Sequence, residues 1–218
     1  MLIKEAEYLK TLLDSLNITE NTILLNVGSQ NKQYLKENPH INENIIIPIL
    51  QSKATLINFD LLPGEGVDIN GDIYDETVFQ KLKDLKPDII LLFNILEHVS
   101  EIDKFANKIE NIINNNGYII FSGPYKYPKH FDPIDNMFRP EPIELNQLFK
   151  NCKLIKSKII IDYKDIYYQT RSLKIFIKTF LRYLAPFYKY KKWKEVVLPR
   201  LKWLFKNFEA VIVLLQKK

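Results

Sequence analysis

Short apolar runs recur along this chain, and each of them ends at a glycine, an acid or an amide. Residues 22–27, 55–59 and 88–93 stop at Gly28, Asp60 and Asn94 respectively. Runs of this length, bounded by polar turns, are typical of strands buried on both faces of a sheet. In a parallel sheet the polar residues that follow the strands gather at one edge, where α/β proteins bind their ligands.

The segments between these runs have helical periodicity. The pattern predicts helices over 3–16, around Tyr34, and over 76–85, 100–113 and 143–149, with Ser100 as an N-cap. Residues 45–49 predict a small strand or a buried loop. Strands are predicted over 23–27, 55–60, 67–72, 88–94, 118–121, 154–161 and 210–215, and all six glycines are expected in turns. This alternation predicts an α/β fold with a doubly wound, mostly parallel sheet.

The length and composition agree with one domain over residues 1–218. The single cysteine, Cys152, excludes a disulfide framework and a cysteine-rich metal site. The first residues lack the basic-then-apolar layout of a signal peptide, and no apolar run is long enough to span a bilayer. We therefore expect a cytoplasmic protein.

The net charge of +5 is distributed unevenly. Residues 165–218 contain 13 Lys or Arg and three acidic residues, a net charge of +10, so the rest of the chain carries −5. From Arg171 to Leu184, apolar residues keep helical spacing and basic residues occupy the opposite face. Because residues 210–215 predict a final strand, we expect 165–207 to be a basic, aromatic, helical insertion before it.

Three roles are open for the 165–207 insertion. Basic and apolar faces with interfacial Trp193 and Trp203 suit an anionic membrane surface, which would make the protein peripheral to the inner membrane face. Charge with interleaved aromatics also suits nucleic acid, although no RNA- or DNA-binding signature accompanies it and this partner is not expected. The third option is a helical lid whose apolar face packs on the sheet domain.

Two acids follow predicted strands. Asp60 ends the second strand, where a carboxylate can accept hydrogen bonds from both hydroxyls of a ribose. Asp72 follows Gly71 and can accept from an exocyclic amine such as that of adenine. The alternative for each is a structural role, as a solvated turn acid for Asp60 and as a capping or turn acid for Asp72.

Two further polar groups follow the fourth and fifth strands. Glu97 and His98 suit the lining of a cofactor pocket, whereas a Glu–His pair without another His or Cys at ligand spacing is a poor metal site, so no metal is expected. The proline-rich loop 122–140 carries His130, a candidate base that Asp135 or Asp132 can orient. The alternative is that these groups only tie the loop together, with Asp135 and Arg139 as an internal salt bridge.

These residues resemble class I S-adenosylmethionine-dependent methyltransferases of the methyltransferase type 11 kind. The resemblance covers residues 20–162 and the last strand. It rests on Leu-Asn-Val-Gly28-Ser, Asp60, Gly66-Val-Asp-Ile-Asn-Gly-Asp72, Asn94-Ile-Leu-Glu97-His98-Val, Asn-Asn-Gly117-Tyr-Ile-Ile-Phe and His130-Phe-Asp-Pro-Ile-Asp135-Asn-Met-Phe-Arg139-Pro. The Leu-Glu-His-Val element and the His130 loop are similar to a subgroup often associated with surface-glycan synthesis. The family's first motif usually has two further glycines, where this chain has Gln30 and Lys32.

The resemblance implies a seven-stranded Rossmann-like sheet and S-adenosylmethionine as the cofactor. It implies that the glycine turn holds the methionine moiety, the acid after strand two the ribose, and the acid after strand three the adenine. The cofactor-binding residues expected on this basis are Gly28, Ser29, Asp60, Leu61, Asp72, Ile73, Asn94, Glu97 and His98, with His130 and Asp135 as catalytic residues. The expected acceptor is a hydroxyl of a sugar, glycan precursor or other small molecule. The alternative is a non-catalytic member that binds a partner or a membrane surface through its basic tail.

Overall fold

A computed structural model describes residues 1–130 and 134–218, without the side chains of Lys192 and Val196. Its strands form one seven-stranded sheet in the order β3-β2-β1-β4-β5-β7-β6. The strands are β1 (Ile23–Val27), β2 (Thr55–Asp60), β3 (Ile69–Asn70), β4 (Ile89–Phe93), β5 (Tyr118–Lys126), β6 (Cys152–Lys164) and β7 (Asn207–Lys217). Strands β1 to β5 pair in parallel, and β7 runs antiparallel between β5 and β6. The predicted seven-stranded, mostly parallel sheet is confirmed.

The helices lie before, between and after these strands. The α-helices are α1 (Ile3–Asp14), α2 (Lys32–Glu37), α3 (Pro39–Ile41), α4 (Ile47–Gln51), α5 (Glu76–Asp84), α6 (Ile102–Ile112), α7 (Pro142–Leu148), α8 (Asp165–Thr170), α9 (Leu173–Leu184), α10 (Tyr190–Lys192) and α11 (Leu198–Arg200). Two 3₁₀ turns (Leu96–His98 and Leu201–Trp203) and two π-helical turns (Asn42–Ile46 and Trp193–Val197) complete the helical structure of the described residues.

The central strands are buried on both faces, as their continuous apolar character predicts. In β1, Leu24 packs with α1 in one core cluster, and Leu25 packs with α5 and α6 in another. Successive side chains of a strand point to opposite faces of the sheet, so one apolar run supplies both cores. The two layers of helices exclude water from both faces, and the carboxyl ends of the strands stay open at one edge.

Residues 45–49 are helical, so the prediction of a strand or loop there is wrong. They belong to a continuous helical run from α3 through the π-helical turn Asn42–Ile46 to α4. Ile41, Ile45 and Ile49 recur every four residues and are all buried in the same core cluster. Pro48 falls in the first turn of α4, where a missing backbone N–H is tolerated.

Three local predictions near the later strands also differ from the structure. Strand β5 continues to Lys126, so Gly123 lies inside a strand and not in a turn. A Cβ at Gly123 would lie 2.7 Å from Cζ of Phe121, which explains the glycine by close packing. The N-cap position of α6 is Glu101, and Ser100 precedes it. The end of β5 depends on strand pairing and the start of α6 on packing. Local periodicity contains no information about either.

The two edges of the sheet are protected in different ways. Strand β3 has only two residues, which leaves little backbone for another strand to pair with. The outer strand β6 is long and mostly exposed, and it carries Lys153, Lys156 and Lys158. Charged side chains on an edge strand oppose edge-to-edge association, so β6 is suited to solvent.

The segment between β6 and β7 is helical and contains α8 to α11. Its first helix is well anchored, since Asp165 is buried and makes a two-point ion pair with Arg200 at 2.7 to 3.1 Å. Tyr168 donates to Asp162 at 3.0 Å and accepts from the backbone N–H of Ile3 at 3.1 Å. These contacts attach the base of the insertion to α1 and to the sheet.

Within the described residues, no helix combines the length and the apolar character that crossing a membrane requires.

Candidate functional site

A cavity of 1210 Å³ opens at the carboxyl ends of the parallel strands. Its walls come from the turns after β1, β2, β3 and β4, from the segment after β5, from α1 and from the insertion. The structure brings together in this wall all the residues expected to bind the cofactor, together with His130: Gly28, Ser29, Asp60, Leu61, Asp72, Ile73, Asn94, Glu97, His98 and His130. Its volume suits a cofactor and a small acceptor side by side.

The turn after β1 requires glycine at position 28. Gly28 has φ of +74°, and a Cβ there would lie 2.7 Å from Cδ1 of Ile95. The N–H groups of Gly28 and Ser29 both donate to the Phe59 carbonyl, at 2.8 and 3.1 Å. The turn is therefore held against β2, and the missing side chain keeps the backbone accessible from the cavity.

Asp60 is held by the backbone on both sides of its carboxylate. Its Oδ2 accepts from the N–H of Gln30 at 2.9 Å, and its Oδ1 accepts from the N–H of Leu62 at 3.1 Å. A carboxylate has about four acceptor positions, so both oxygens retain capacity for a ligand. The adjacent Leu61 is exposed and can cover an apolar ring at the mouth of the cavity.

Asp72 makes a turn contact that its position predicts. Its Oδ1 accepts from the N–H of Tyr74 at 2.9 Å, and its side chain is exposed. The neighbouring Ile73 is buried. Helix α5 is capped by Asp75, which accepts from Thr77 and Val78, so Asp72 is a turn acid and not the cap. The remaining acceptor capacity of Asp72 faces the cavity.

Asn94 connects the end of β4 to α1. Its backbone adopts φ of +51°, and its side-chain amide donates to Oε1 of Glu5 at 2.9 Å. Glu5 is fully buried and also accepts from the N–H of Leu2 at 2.8 Å. These bonds fix both the orientation of Asn94 and the position of α1 over the cavity.

Glu97, His98 and the loop after β5 are joined by one asparagine. Asn136 donates from its side chain to the carbonyls of Leu96 and Val99 at 2.8 and 2.7 Å, and its N–H donates to the Glu97 carbonyl at 2.9 Å. Nδ1 of His98 is hydrogen-bonded to the Ile134 carbonyl. The loop is therefore fastened to the Leu96–His98 turn, although 36 residues separate His98 from Ile134 in the chain.

Glu97 is a buried carboxyl group in the cavity wall. Its side chain is 2% exposed, and burial raises its pKa to about 7, with the Arg139 guanidinium acting in the opposite direction. Among the described residues, Oε2 of Glu97 has no hydrogen-bond partner. A carboxyl group near its pKa at neutral pH can release or accept a proton, or accept a cation.

His130 and Asp135 are in contact, as the base–orienter interpretation requires. Nδ1 of His130 lies 3.0 Å from Oδ2 of Asp135, which also accepts from the N–H of His130 at 3.0 Å. The same oxygen accepts from Nη2 of Arg139 at 2.7 Å, so the internal salt bridge is present as well. Burial alone would raise the pKa of Asp135, but Arg139 and two backbone N–H groups hold it below its ordinary value. Asp135 is buried behind His130 and outside the cavity wall, and Asp132 lies outside the described residues.

Sequence reasoning missed several cavity residues. Glu5 lies on the apolar face of α1 between Leu2 and Leu9. An acid among the apolar positions of a helix indicates a buried polar contact, and the sequence alone contained this signal. Tyr127 stacks edge-on to His130 with 5.8 Å between the ring centroids. Arg171 and Arg182 reach the cavity from the insertion, and nothing local in the sequence distinguishes them from the other basic residues there.

Comparisons with known proteins place this architecture among solved structures. No protein-family model matches the sequence, and no curated protein matches it. A SAM-dependent methyltransferase from Archaeoglobus fulgidus is 13% identical with a TM-score of 0.51, over 97% of this chain and 94% of its own. The [4+2]-cyclase SpnF is 11% identical with a TM-score of 0.56, over 97% of this chain and 80% of its own. Coclaurine N-methyltransferase bound to N-methylheliamine and SAH is 12% identical with a TM-score of 0.54, over 97% of this chain and 72% of its own.

Identities this low show a shared fold, and that fold is the Rossmann-like fold of the class I methyltransferases. The antiparallel β7 between β5 and β6 is part of the similarity. One of the three structures is a cyclase, so the fold by itself leaves the reaction open. The reaction has to be argued from the residues of the cavity.

Proposed function

We propose that this chain transfers a methyl group from S-adenosylmethionine to a hydroxyl group of a sugar, glycan precursor or similar small molecule. One observation carries the proposal, namely that the glycine turn, both strand-end acids and His130 line a single cavity. The methyltransferases that share the fold support the choice of cofactor. When bound, the cofactor supplies an electrophilic methyl group on its sulfonium.

The roles of the binding residues follow from their chemistry. The backbone at Gly28 and Ser29 would receive the methionine end, and Asp60 would accept from the two ribose hydroxyls. Asp72 would accept from the adenine amine, while Leu61 and Ile73 would contact its ring. Asn94, Glu97 and His98 would form the floor of the pocket between cofactor and acceptor. The turn carries Gln30 and Lys32 where the family has further glycines. The hydrogen bond from the N–H of Gln30 to Asp60 holds this turn in place.

The acceptor hydroxyl needs a group that receives its proton. His130 lies in the cavity wall, and its Nδ1 lies 3.0 Å from Oδ2 of Asp135. A carboxylate beside one ring nitrogen of an imidazole can orient the ring so that its other nitrogen receives a proton from a substrate. His130 would therefore be the catalytic base and Asp135 its positioning residue.

The basic side chains of the insertion favour an acceptor that carries a negative charge. Arg171 and Arg182 line the cavity, and neither forms an ion pair with any acid in the described parts of the chain. Arg200 also lines it but is neutralised by Asp165. Guanidinium groups recognise phosphate and carboxylate oxygens in pairs. Phosphorylated sugar precursors carry such groups, which supports this acceptor class.

Calorimetry with S-adenosylhomocysteine tests the cofactor assignment. We expect the full chain to bind one equivalent. Asp60→Asn should weaken binding about 10- to 100-fold, because it removes charge-assisted hydrogen bonds to the ribose. Asp103→Asn, on the exposed face of α6 and outside the cavity wall, is the matched control and should bind normally. Absence of binding by the folded, unaltered chain would remove the enzyme assignment.

A non-catalytic role at a membrane surface is the second candidate, and the exposure of α9 favours it. The apolar side chains of this helix and its neighbours are not covered by the sheet domain. Those exposed by 40% or more are Leu173, Ile175, Phe176, Ile177, Phe180, Leu181, Leu184, Phe187, Leu198, Leu201 and Phe205. Because basic residues are interleaved with them, an anionic lipid surface is the partner that matches both properties. The same surface could also bring a lipid-linked acceptor to the cavity.

A further inference from the structure

We infer that Glu97, His98 and His130 form a binding site for a divalent first-row transition-metal ion. One ligand atom from each of the three residues lies within 4.8 Å of the other two. Ligands of a tetrahedral ion, at about 2.0–2.1 Å from it, lie about 3.4 Å apart, so modest side-chain rotations close the set. Two imidazoles and one carboxylate are a donor set used by zinc and iron sites, and they leave coordination positions open.

Each imidazole has a polar group beside one of its ring nitrogens. Nδ1 of His98 donates to the Ile134 carbonyl, and Nδ1 of His130 lies 3.0 Å from Oδ2 of Asp135. Ligating histidines usually donate their other ring N–H to a carbonyl or carboxylate, and the hydrogen bond of His98 follows this pattern. The two rings are perpendicular, at 89°, with 5.2 Å between their centroids.

The third ligand is a buried carboxylate with one unsatisfied oxygen among the described residues. Glu97 is 2% exposed, lines the cavity, and has no hydrogen-bond donor for Oε2 among the described residues. A buried polar atom without a partner is costly, and native structures rarely leave one unexplained. The distance from Oε1 of Glu97 to Nε2 of His98 is 4.0 Å, which places the carboxylate beside the imidazole without a bond between them. A cation between them satisfies both groups.

The sequence showed only the Glu97–His98 pair, and the prediction of no metal rested on the lack of a third ligand. His130 is 32 positions beyond His98, and the folding of its loop onto the Leu96–His98 turn supplies that ligand. Glu97, His98 and His130 all line the cavity, so a hydroxyl or phosphate oxygen of the acceptor would be able to reach a bound ion. When an ion is bound, His130 is a metal ligand and is not available as the base. The proposed role of His130 as base therefore applies to the metal-free protein.

The test uses the full chain, freed of metal by a chelator and then titrated with Co²⁺ and with Zn²⁺. We expect one ion per chain by calorimetry, visible absorption bands for bound Co²⁺, and displacement of Co²⁺ by Zn²⁺. Glu97→Gln and His130→Gln should each weaken binding by about 100-fold or more, because even outer-shell partners of a ligand contribute 10- to 100-fold. Bound ion should also raise the melting temperature of the unaltered chain but not of these variants.

The third histidine provides the matched control. His40 lies outside the cluster, with Nε2 3.2 Å from the Met1 carbonyl, so His40→Gln should bind the ion with unchanged affinity. The inference is overturned if the folded chain binds no stoichiometric ion, if Glu97→Gln and His130→Gln bind as well as the unaltered chain, or if His40→Gln loses binding. These measurements need neither the methyl donor nor an acceptor, so their outcome is independent of the proposed reaction.

Discussion

At the scale of single residues, the cavity region contains charged groups that are removed from water. Asp135 and Asp165 are both fully buried, and each is compensated by an arginine, Arg139 and Arg200 respectively. Glu97 is equally buried but lacks such a partner, and its pKa is raised to about 7. A buried polar atom normally has a hydrogen-bond partner, so the unsatisfied Oε2 of Glu97 in the described part of the chain agrees with a ligand at that position.

Replacing Asp135 tests how much the loop after β5 depends on its ion pair. Asp135→Asn leaves Arg139, which is 11% exposed, without its carboxylate partner. Loss of one member of a buried pair typically costs 3 to 5 kcal/mol, and we expect a loss of about 3 kcal/mol in the free energy of unfolding. Denaturant unfolding followed by circular dichroism measures this loss.

A surface acid serves as the control for Asp135. Asp14 pairs with Lys10 at 3.3 Å on an exposed face of α1, and Asp14→Asn should cost less than about 0.5 kcal/mol. If Asp135→Asn were as mild as the control, the loop would be held by its other contacts, such as those of Asn136, and Asp135 would not be a structural anchor.

At the scale of elements, the insertion between β6 and β7 has two parts with opposite environments. Helix α8 is attached to the sheet by the buried Asp165 and by Tyr168, and Tyr168 and Arg200 line the cavity. In contrast, α9 has no buried residue at all. The lid interpretation therefore suits α8, while α9 contributes Arg182 to the cavity wall and leaves its apolar side chains exposed to an external surface.

The membrane candidate predicts binding of the full chain to vesicles that contain phosphatidylserine. Phe176 and Phe180 stack with 6.3 Å between their centroids and are about half exposed. Because each aromatic ring buried in lipid contributes a few kcal/mol, Phe176→Ser with Phe180→Ser should weaken vesicle binding at least about 10-fold. Co-sedimentation measures the change.

A control variant at a second exposed apolar residue distinguishes lipid contact by α9 from nonspecific hydrophobic adsorption. Ile155 lies on the edge strand β6 and is 45% exposed, so Ile155→Ser should bind vesicles normally. Neutral phosphatidylcholine vesicles should bind less than anionic ones, because the charge of the insertion contributes to attraction. Equal loss in both variants, or no binding by the unaltered chain, would leave α9 without this role.

At the scale of the whole molecule, the fold is stabilised by two apolar cores on opposite faces of one sheet. The antiparallel β7 completes both cores, since Val213 packs in one and Ile212 and Leu214 in the other. The last strand of the chain is thus inserted between β5 and β6, so β6 is joined to the sheet through β7. We expect the sheet to unfold as one unit.

The single cysteine reports on this unfolding. Cys152 is 3% exposed at the start of β6, and burial, followed by the nearby Glu110, raises the pKa of its thiol to about 12. At pH 8 the native thiol should therefore not react with Ellman's reagent on the time scale of minutes. Because an unfolded thiol has a pKa near ~8.5, it should react completely in denaturant. Rapid reaction of the native protein would show that the β6 end of the sheet opens locally.

The sequence alone determined the class of fold and most of the strands. Apolar runs bounded by glycines and acids define strands locally, and the predicted β1 and β2 agree with the structure residue by residue. It also identified residues that line one cavity, because the carboxyl ends of parallel strands converge whatever the details of packing. The error at residues 45–49 arose because a short apolar run fits both a strand and a buried helix.

Only the tertiary structure decided which distant groups meet. Glu5 contacts Asn94 because α1 folds over the end of β4, and His130 meets Glu97 and His98 because Asn136 fastens the loop to the preceding turn. These contacts depend on the order of the strands and the paths of the loops, which are set by packing between segments far apart in the chain. A periodicity that extends over one segment carries no information about them. The residues of the pocket could therefore be predicted from the ends of the strands, whereas the meeting of Glu97, His98 and His130 could not.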